Sequence, residues 1–358
     1  LALLLRRLPA RLDPVVVFAN EGRFAEEVRG MGIDTFVVPF GRRSAGSTRE
    51  RVRLDAIFDL PQAIVAIARL LKHVKAEVVH TNTVKAHVAG GPAARLAGIP
   101  SVAHIRDILE GFGRGVVRTA IWTCTRERIA ISKVVDRSFA LPRTTVVDNP
   151  LDLTLYERAP GRAQARALLT IPNDGLPLIG MVGRINRWKG QDRFLRAIAR
   201  VREHLPVRAV IAGAPLFRDA DFVPELRNLA RSLALDEAVT FLDWQPDPRS
   251  IYAALDVHVN ASTKEPFGRS VIEAAAMSVP TVCFDDSGVS DSMRQGDVGI
   301  VVPAGDEGAL AEAIVRYASC PEIREAAGAA ALAWAHRFDA TLHARRVCDI
   351  LARAARRE

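Results

Sequence analysis

The chain has 358 residues, 49% of them apolar, which exceeds one ordinary core and leads to an expectation of two domains. No apolar run approaches the roughly 18 residues of a transmembrane helix, and the opening 1–7 is too short and wrongly flanked for a signal peptide. Cys124, Cys283, Cys320 and Cys348 stand far apart with no C-x-x-C, which reads as reduced core thiols of a cytosolic protein and excludes a disulfide or zinc framework.

The net charge of +8 is unevenly spread: residues 1–150 hold 23 Lys and Arg against 14 Asp and Glu, and residues 151–358 hold 26 against 27. A basic first half suits an anionic membrane surface or a phosphorylated acceptor. Nucleic acid is not expected, because no interleaved aromatics or nucleic-acid motif accompany the charge. An Arg-rich composition would account for the excess equally well.

Residues 1–150 read as alternating strands and helices. Apolar, β-branched runs predict strands at 15–18, 35–38, 77–80, 101–104, 128–131 and 144–147. Helical patterns between them are clearest at 54–74 and 84–97. Such alternation, with nearly continuous apolar strands, predicts a parallel doubly wound sheet. Residues 1–8 read as a helix with no strand before it, although a doubly wound domain ordinarily opens with a strand and a Gly-rich turn; the expectation is that this first unit is missing. Residues 41–53 form a polar, basic loop with no packing pattern.

Residues 149–162, with Pro150 and Pro160, read as a linker. A second series follows, with strands expected at 178–182, 207–212, 239–242, 257–260, 281–284 and 299–302. Helices are expected at 191–203, 223–233, 266–277, 307–318 and 321–334. A last helix, 341–357, is expected to pack back on the first domain. The domains are therefore drawn as 1–150, 163–337 and a terminal piece 338–358: an α/β chain of two doubly wound, Rossmann-like domains facing a cleft, with no tandem repeat.

Chemistry concentrates after two strands of the second domain. The first runs into Val182-Gly-Arg184-Ile-Asn-Arg-Trp-Lys189-Gly190, a strand, turn and helix start where open α/β sheets bind ligands. Arg184 and Lys189 could both reach a diphosphate, one as a fork and one as a point charge. The other stretch is Glu265-Pro-Phe-Gly268-Arg-Ser-Val-Ile-Glu273-Ala. Pro266 suits the first turn of a helix, and eight residues return Glu273 near the face of Glu265. The amides of Phe267, Gly268, Arg269 and Ser270 would point from the helix start toward a phosphate. Two acids around an anion cradle suit a sugar joined to a nucleoside diphosphate.

These two motifs, with Gly299-Ile-Val-Val-Pro-Ala-Gly-Asp306, resemble the family-4 retaining glycosyltransferases of the GT-B fold. Ala-Arg-Leu-Ala-Gly-Ile-Pro at 94–100, Ile-Ala-Ile-Ser-Lys at 129–133 and Asn-Pro-Leu-Asp at 149–152 are similar to landmarks of the same family. The resemblance implies that Arg184 and Lys189 bind the donor diphosphate, with the amides at 267–270 on its distal phosphate. It places Glu273 on the ribose hydroxyls and Glu265 on the transferred sugar. Gly213 and residues 242–244 fall where the base would lie. His104 matches an active-site histidine near the sugar, with Arg106 and Asp107 following on the acceptor side; a strand-end histidine capping a loop is the alternative. His80 reads as structural.

The family generally needs no divalent metal or other cofactor, and this chain offers no Asp-x-Asp. The implied partners are a nucleotide-sugar donor and a glycan or lipid-linked acceptor. The implied setting is the cytoplasm, with peripheral contact at the inner membrane face through the basic first domain. Three landmarks differ: the Gly-rich first loop is absent, Asn149-Pro150 replaces Asn-Gly, and Ser287-Gly-Val-Ser-Asp291 replaces Gly-Gly-x-x-Glu. The transfer is expected on one face of the sugar, the leaving phosphate taking the acceptor proton; a covalent adduct on Glu265 is the rival. A nucleotide-sugar epimerase of the same fold, or a degenerate transferase serving as a binding subunit, are the alternative functions.

Overall fold

The computed structural model describes residues 1–39, 60–216 and 219–356. They form two compact units, one of Leu1–Pro150 with Ala340–Glu358 and one of Leu151–Asp339. The basic loop at 41–53 and the start of the helix expected at 54–74 lie outside the described residues.

In the first unit, β1 (Val15–Phe18) and β2 (Asp34–Val37) make a parallel pair. β3 (Val79–Thr81), β4 (Ser101–Ile105), β5 (Glu127–Ala130) and β6 (Thr144–Val146) make a parallel sheet in chain order. All five residues of β4 are buried, as a strand covered on both faces requires. Helix Val84–Ala97 starts where the Thr83 hydroxyl accepts from the Ala86 amide. Its buried Ala89, Ala93 and Ala94 let it lie close against Ile67, Ala68 and Leu71 of helix Leu60–His73.

Helix Ala340–Ala355, last in the chain, also belongs to this unit. Its Ala344, Val347, Ile350 and Ala354 recur at helical spacing and pack on Leu4, Val102, Ile129 and Val147.

The second unit holds β7 (Leu178–Val182), β8 (Arg208–Ala212), β9 (Val239–Leu242), β10 (Val257–Asn260), β11 (Thr281–Phe284) and β12 (Gly299–Val302). Its sheet is wholly parallel, in the order β12-β11-β10-β7-β8-β9. The order reverses between β7 and β10, so the crevice beyond their carboxyl ends is the topological switch point where such sheets receive ligands. Side chains alternate along β7: Ile179 and Met181 join the core of helix Gln191–Arg202, while Leu178 faces the cluster of Tyr252 and Leu255.

Residues 151–162, expected as linker, are part of this unit. Leu151 N donates to Phe338 O, and Leu151 bridges Asp339, so the two stretches where the chain changes unit run side by side. Buried Asp256 fixes the following helix, Arg162–Leu168, accepting from Arg166 at 2.6 Å and Arg162 at 2.9 Å and from the amide of Leu178 at 2.8 Å. The carboxylate is compensated on three sides, which is the condition for burying it.

Candidate active site

The loops after β7 and β10 are stitched together before any side chain is considered. Thr263 N donates to Trp188 O at 2.8 Å, and Arg193 donates to Ala261 O through Nε and Nη2 at 3.1 and 3.0 Å. Gly190 has φ 82°, and a Cβ there would collide with that same Ala261 carbonyl, so only glycine lets the loops meet. Gly213, after β8, is under a similar constraint: φ is 148°, and a Cβ would run into the Gly183 carbonyl. Its amide donates to Leu242 O, so it ties the ends of β8 and β9 together on the edge expected for a base.

Across this seam Lys189 Nζ donates to Glu265 Oε2 at 2.5 Å. The side chains are 17% and 8% exposed, so the pair lies largely out of water. Lys189 also sits 4.4 Å from the centre of the Trp188 ring, a cation–π contact that further fixes the ammonium. The sequence expectation put Lys189 on a diphosphate and Glu265 on a sugar; the structure makes them direct neighbours. Arg184 lies at the end of the same loop with its side chain exposed, and its carbonyl accepts from Gln191 Nε2 at 3.0 Å. Its guanidinium has no ion-pair partner among the described residues.

Glu265 leads into a helix that is shorter than the pattern suggested. It spans Arg269–Ala275, not 266–277, and Pro266 lies outside its first turn. The reason is backbone pairing: Glu265 N donates to Asp286 O, Gly288 N donates to Glu265 O, and Glu265 bridges Ser287. These bonds hold the chain extended until Gly268, at φ 96°, turns it into the helix. Val271 N makes the first bond, to Gly268 O, so the amides of Gly268, Arg269 and Ser270 precede the ladder. The Phe267 ring is 3% exposed and packs edge-on against Phe338, which leaves only its main chain for a ligand.

Glu273 lies one turn into this helix, four residues after Arg269, and not the two helical turns beyond Glu265 that the spacing predicted. Its Oε1 accepts from Arg269 at 3.0 Å and its Oε2 from Tyr252 OH at 2.7 Å. Burial and the neighbouring Glu273 carboxylate hold the Tyr252 phenol well above its usual pKa, so it remains a neutral donor. Sequence reasoning missed Tyr252, since nothing in a 21-residue separation across β10 signals a partnership. It missed the roles of Trp188 and Asp286, and the bridge from Ser287 to Glu265, for the same reason. His258 on β10 is fully buried and bonded to Thr281, and burial, followed by the Lys189 charge, lowers its pKa to about 3.

The candidates in the first unit form a separate cluster. His104 is fully buried, its ring stacked with His80 at 5.3 Å and His343 at 5.9 Å. Its Nδ1 lies 3.3 Å from Arg106 Nη2, and an arginine can only donate, so Nδ1 accepts and the neutral ring carries its proton on Nε2. Burial, then Arg106, keeps His104 well below its ordinary pKa. The buried Nε2 has no hydrogen-bond partner among the described residues. Arg106 reaches Asn82 Oδ1 at 3.1 Å and Asn149 Oδ1 at 2.7 Å, which ties the loop after β4 to the end of the unit. Asp107, next in that loop, is half-buried. Among the described residues no group of three or more His, Cys, Asp or Glu could hold a metal ion.

Residues 170–334 match the family model of glycosyl transferases group 1, which takes in the whole Lys189–Glu265–Glu273 site. The chain is 34% identical over 211 residues to the D-inositol 3-phosphate glycosyltransferase of Nocardia farcinica, covering 56% of this chain and 46% of that protein. It is 30% identical over 210 residues to the lipopolysaccharide core biosynthesis mannosyltransferase LpcC of Rhizobium leguminosarum bv. viciae, covering 58% and 59%. The chain thus spans about half the length of the curated relatives it matches. Among solved structures, Alr3699/HepE of Anabaena, in complex with UDP and glucose, superimposes with a TM-score of 0.80 at 24% identity, over 95% of this chain and 91% of that one. The architecture is the GT-B fold of that protein.

Proposed function

We propose that this chain is a glycosyltransferase that moves a sugar from a nucleotide diphosphate sugar to a hydroxyl of a glycan or lipid-linked acceptor. The observation that carries the reading is the Lys189–Glu265 pair at the switch point, with exposed Arg184 on the same loop as Lys189 and Glu273 in the helix that follows Glu265. An ammonium bonded to an acid, with a second cation on its loop, matches a donor whose diphosphate and sugar are adjacent. The named relatives are glycosyltransferases, and the Anabaena neighbour was solved with UDP and glucose, which supports a nucleotide-sugar donor.

Arg184 and Lys189 would carry the charge that develops on the departing phosphate, with the amides of Gly268, Arg269 and Ser270 beside them; no metal is then required. Glu273, held by Tyr252 and Arg269, would accept from the ribose hydroxyls. Glu265 would orient the sugar. A carboxylate already engaged by an ammonium is a poor nucleophile, which supports transfer on one face of the sugar over a covalent adduct. No helix among the described residues is long and apolar enough to cross a membrane, so a lipid-linked acceptor would be met from the membrane surface.

Thermal-shift titration with UDP, GDP and ADP, followed by product analysis with the matching sugar nucleotide and EDTA present, tests this reading. One diphosphate should stabilise the chain, and Arg184→Ala should remove most of the shift. Stabilisation by none of the three, or turnover of the donor to an epimer without acceptor, would sink it.

A further inference from the structure

The cations of the candidate site are largely matched by acids before any ligand arrives. Lys189 is paired with Glu265, and Arg269 donates to Glu273 at 3.0 Å. Exposed Arg184 is the cation of the site left without an ion-pair partner among the described residues. A diphosphate therefore competes with Glu265 for the ammonium of Lys189.

The main chains on both sides of that pair are pinned. Glu265 N donates to Asp286 O at 3.0 Å, and Glu265 O accepts from Gly288 N at 2.8 Å. Lys189 stands on the loop that Thr263 N and Arg193 tie to the stretch ahead of Glu265, and its ammonium lies over the Trp188 ring. The Glu265 side chain is 8% exposed, so its carboxylate depends on donors from the protein or from a ligand rather than from water. A carboxylate has no hydrogen of its own to offer a phosphate.

A nucleoside diphosphate presents two different faces to this acid. As a sugar ester it brings hydroxyls that donate to a carboxylate, and its terminal phosphate is a diester. As the free diphosphate it brings no sugar hydroxyl, and its terminal phosphate, with a second pKa of about 6, carries nearly one more negative charge at neutral pH.

We infer that Glu265 makes the site prefer a sugar-loaded diphosphate over the free one. Sugar hydroxyls replace Lys189 at the carboxylate and release the ammonium to the diphosphate. A free diphosphate leaves the carboxylate with that lysine alone and is repelled by it. The acid that orients the sugar thus also promotes departure of the diphosphate once the sugar has gone. The inference rests on the donor reading proposed above.

Calorimetric titration of the full chain with UDP, GDP and ADP, each free and as its glucose and mannose ester, decides it. For the base that binds, the parent should hold a sugar ester about tenfold more tightly than the free diphosphate. Glu265→Gln keeps the size of the side chain and removes its charge. It should bind the free diphosphate about tenfold more tightly than the parent does and lose the preference. Lys189→Met should weaken both ligands. If Glu265 served only to hold Lys189 in place, Glu265→Gln would weaken the free diphosphate; that result, or an unchanged affinity, overturns the inference and leaves the donor reading standing. Should Glu265→Gln fail to fold, the parent still decides. Capping the terminal phosphate with a methyl group removes a charge and adds no hydroxyl, and it should tighten binding; equal or weaker binding overturns the inference. Binding of no diphosphate or ester by the parent overturns it together with the donor reading.

Discussion

Lys189 and Glu265 are not symmetric in what each would leave behind. Glu265 is the more buried partner, and without Lys189 its carboxylate loses the one counter-charge bonded to it among the described residues. Lys189 is less enclosed and keeps its place over Trp188 if Glu265 is neutralised. Breaking a fully buried pair costs about 3–5 kcal/mol; residual exposure here reduces the expectation for Lys189→Ala to about 2 kcal/mol, and for Glu265→Gln to less than half of that. Urea denaturation of both singles and of Lys189→Met/Glu265→Leu should show the double less destabilised than the sum of the singles. A larger cost for Glu265→Gln would show that the lysine is the more dependent partner.

A second residue-scale prediction concerns Tyr252, whose hydroxyl donates to Glu273 while Arg269 holds the other oxygen. Tyr252→Phe removes one of two supports and should cost about 1 kcal/mol of stability. If Glu273 holds the ribose, donor KM should rise a few-fold, roughly the worth of one hydrogen bond, with kcat little changed. A loss confined to kcat would place Glu273 in the chemical step.

At the scale of elements, the strands were legible because parallel strands buried on both faces announce themselves as short β-branched runs; no predicted strand lies more than two residues from its observed place. The helices were less so. Gly111–Cys124 was not anticipated because Gly111, Gly113 and Gly115 mask its periodicity, and Arg269–Ala275 was overextended because Pro266 mimics a helix start. Neither the bridge that holds Glu265 extended nor the contact of Lys189 with Glu265 can be read from local pattern. Both depend on which strands become neighbours at the switch point.

Arg184, Lys189, Glu265 and Glu273 were therefore identifiable one by one, while their pairings were not. Gly190 tests how closely those elements must approach. Gly190→Ala would force a side chain into φ 82° and against the Ala261 carbonyl, an expected cost of about 2 kcal/mol. Because the strain sits in the seam between the loops after β7 and β10, the loss of diphosphate-induced thermal shift should exceed that of a core variant of equal stability. A fully retained shift would show that the seam does not position the site.

On the whole molecule the buried histidines are divided unequally. The first unit holds His87, His104 and His343 at 2%, 0% and 4% exposure, with His80 stacked on His104; the second holds His258 alone among its buried side chains. Burial is the main cause in each case: it lowers His87 to about 3 and His343 to about 4, with Arg106 adding to both, and it sets His104 well below its normal value. In the unfolded chain a histidine titrates near 6.5. Below that pH the unfolded state binds protons that the folded unit refuses, so stability is complete above about 6.5 and falls as pH drops toward 4.

Each histidine contributes about 1.4 kcal/mol per pH unit within that window. His80 is lowered by burial to about 3 as well, so four acting together make the slope of the first unit about four times that set by His258 in the second. Hydrogen exchange followed from pH 7.5 to 5 should therefore open β3–β6 and the helix Ala340–Ala355 before β7–β12. That helix is last in the sequence, yet it should open with the first unit, because His343 donates through Nδ1 to Asp148 O and belongs to the same buried set. His87→Asn, which keeps an amide group near Thr81 Oγ1 but does not titrate, should lower the acid slope by about a quarter. Opening of the second unit first, or an unchanged slope in His87→Asn, would show that the histidine cluster does not set the acid limit of the fold.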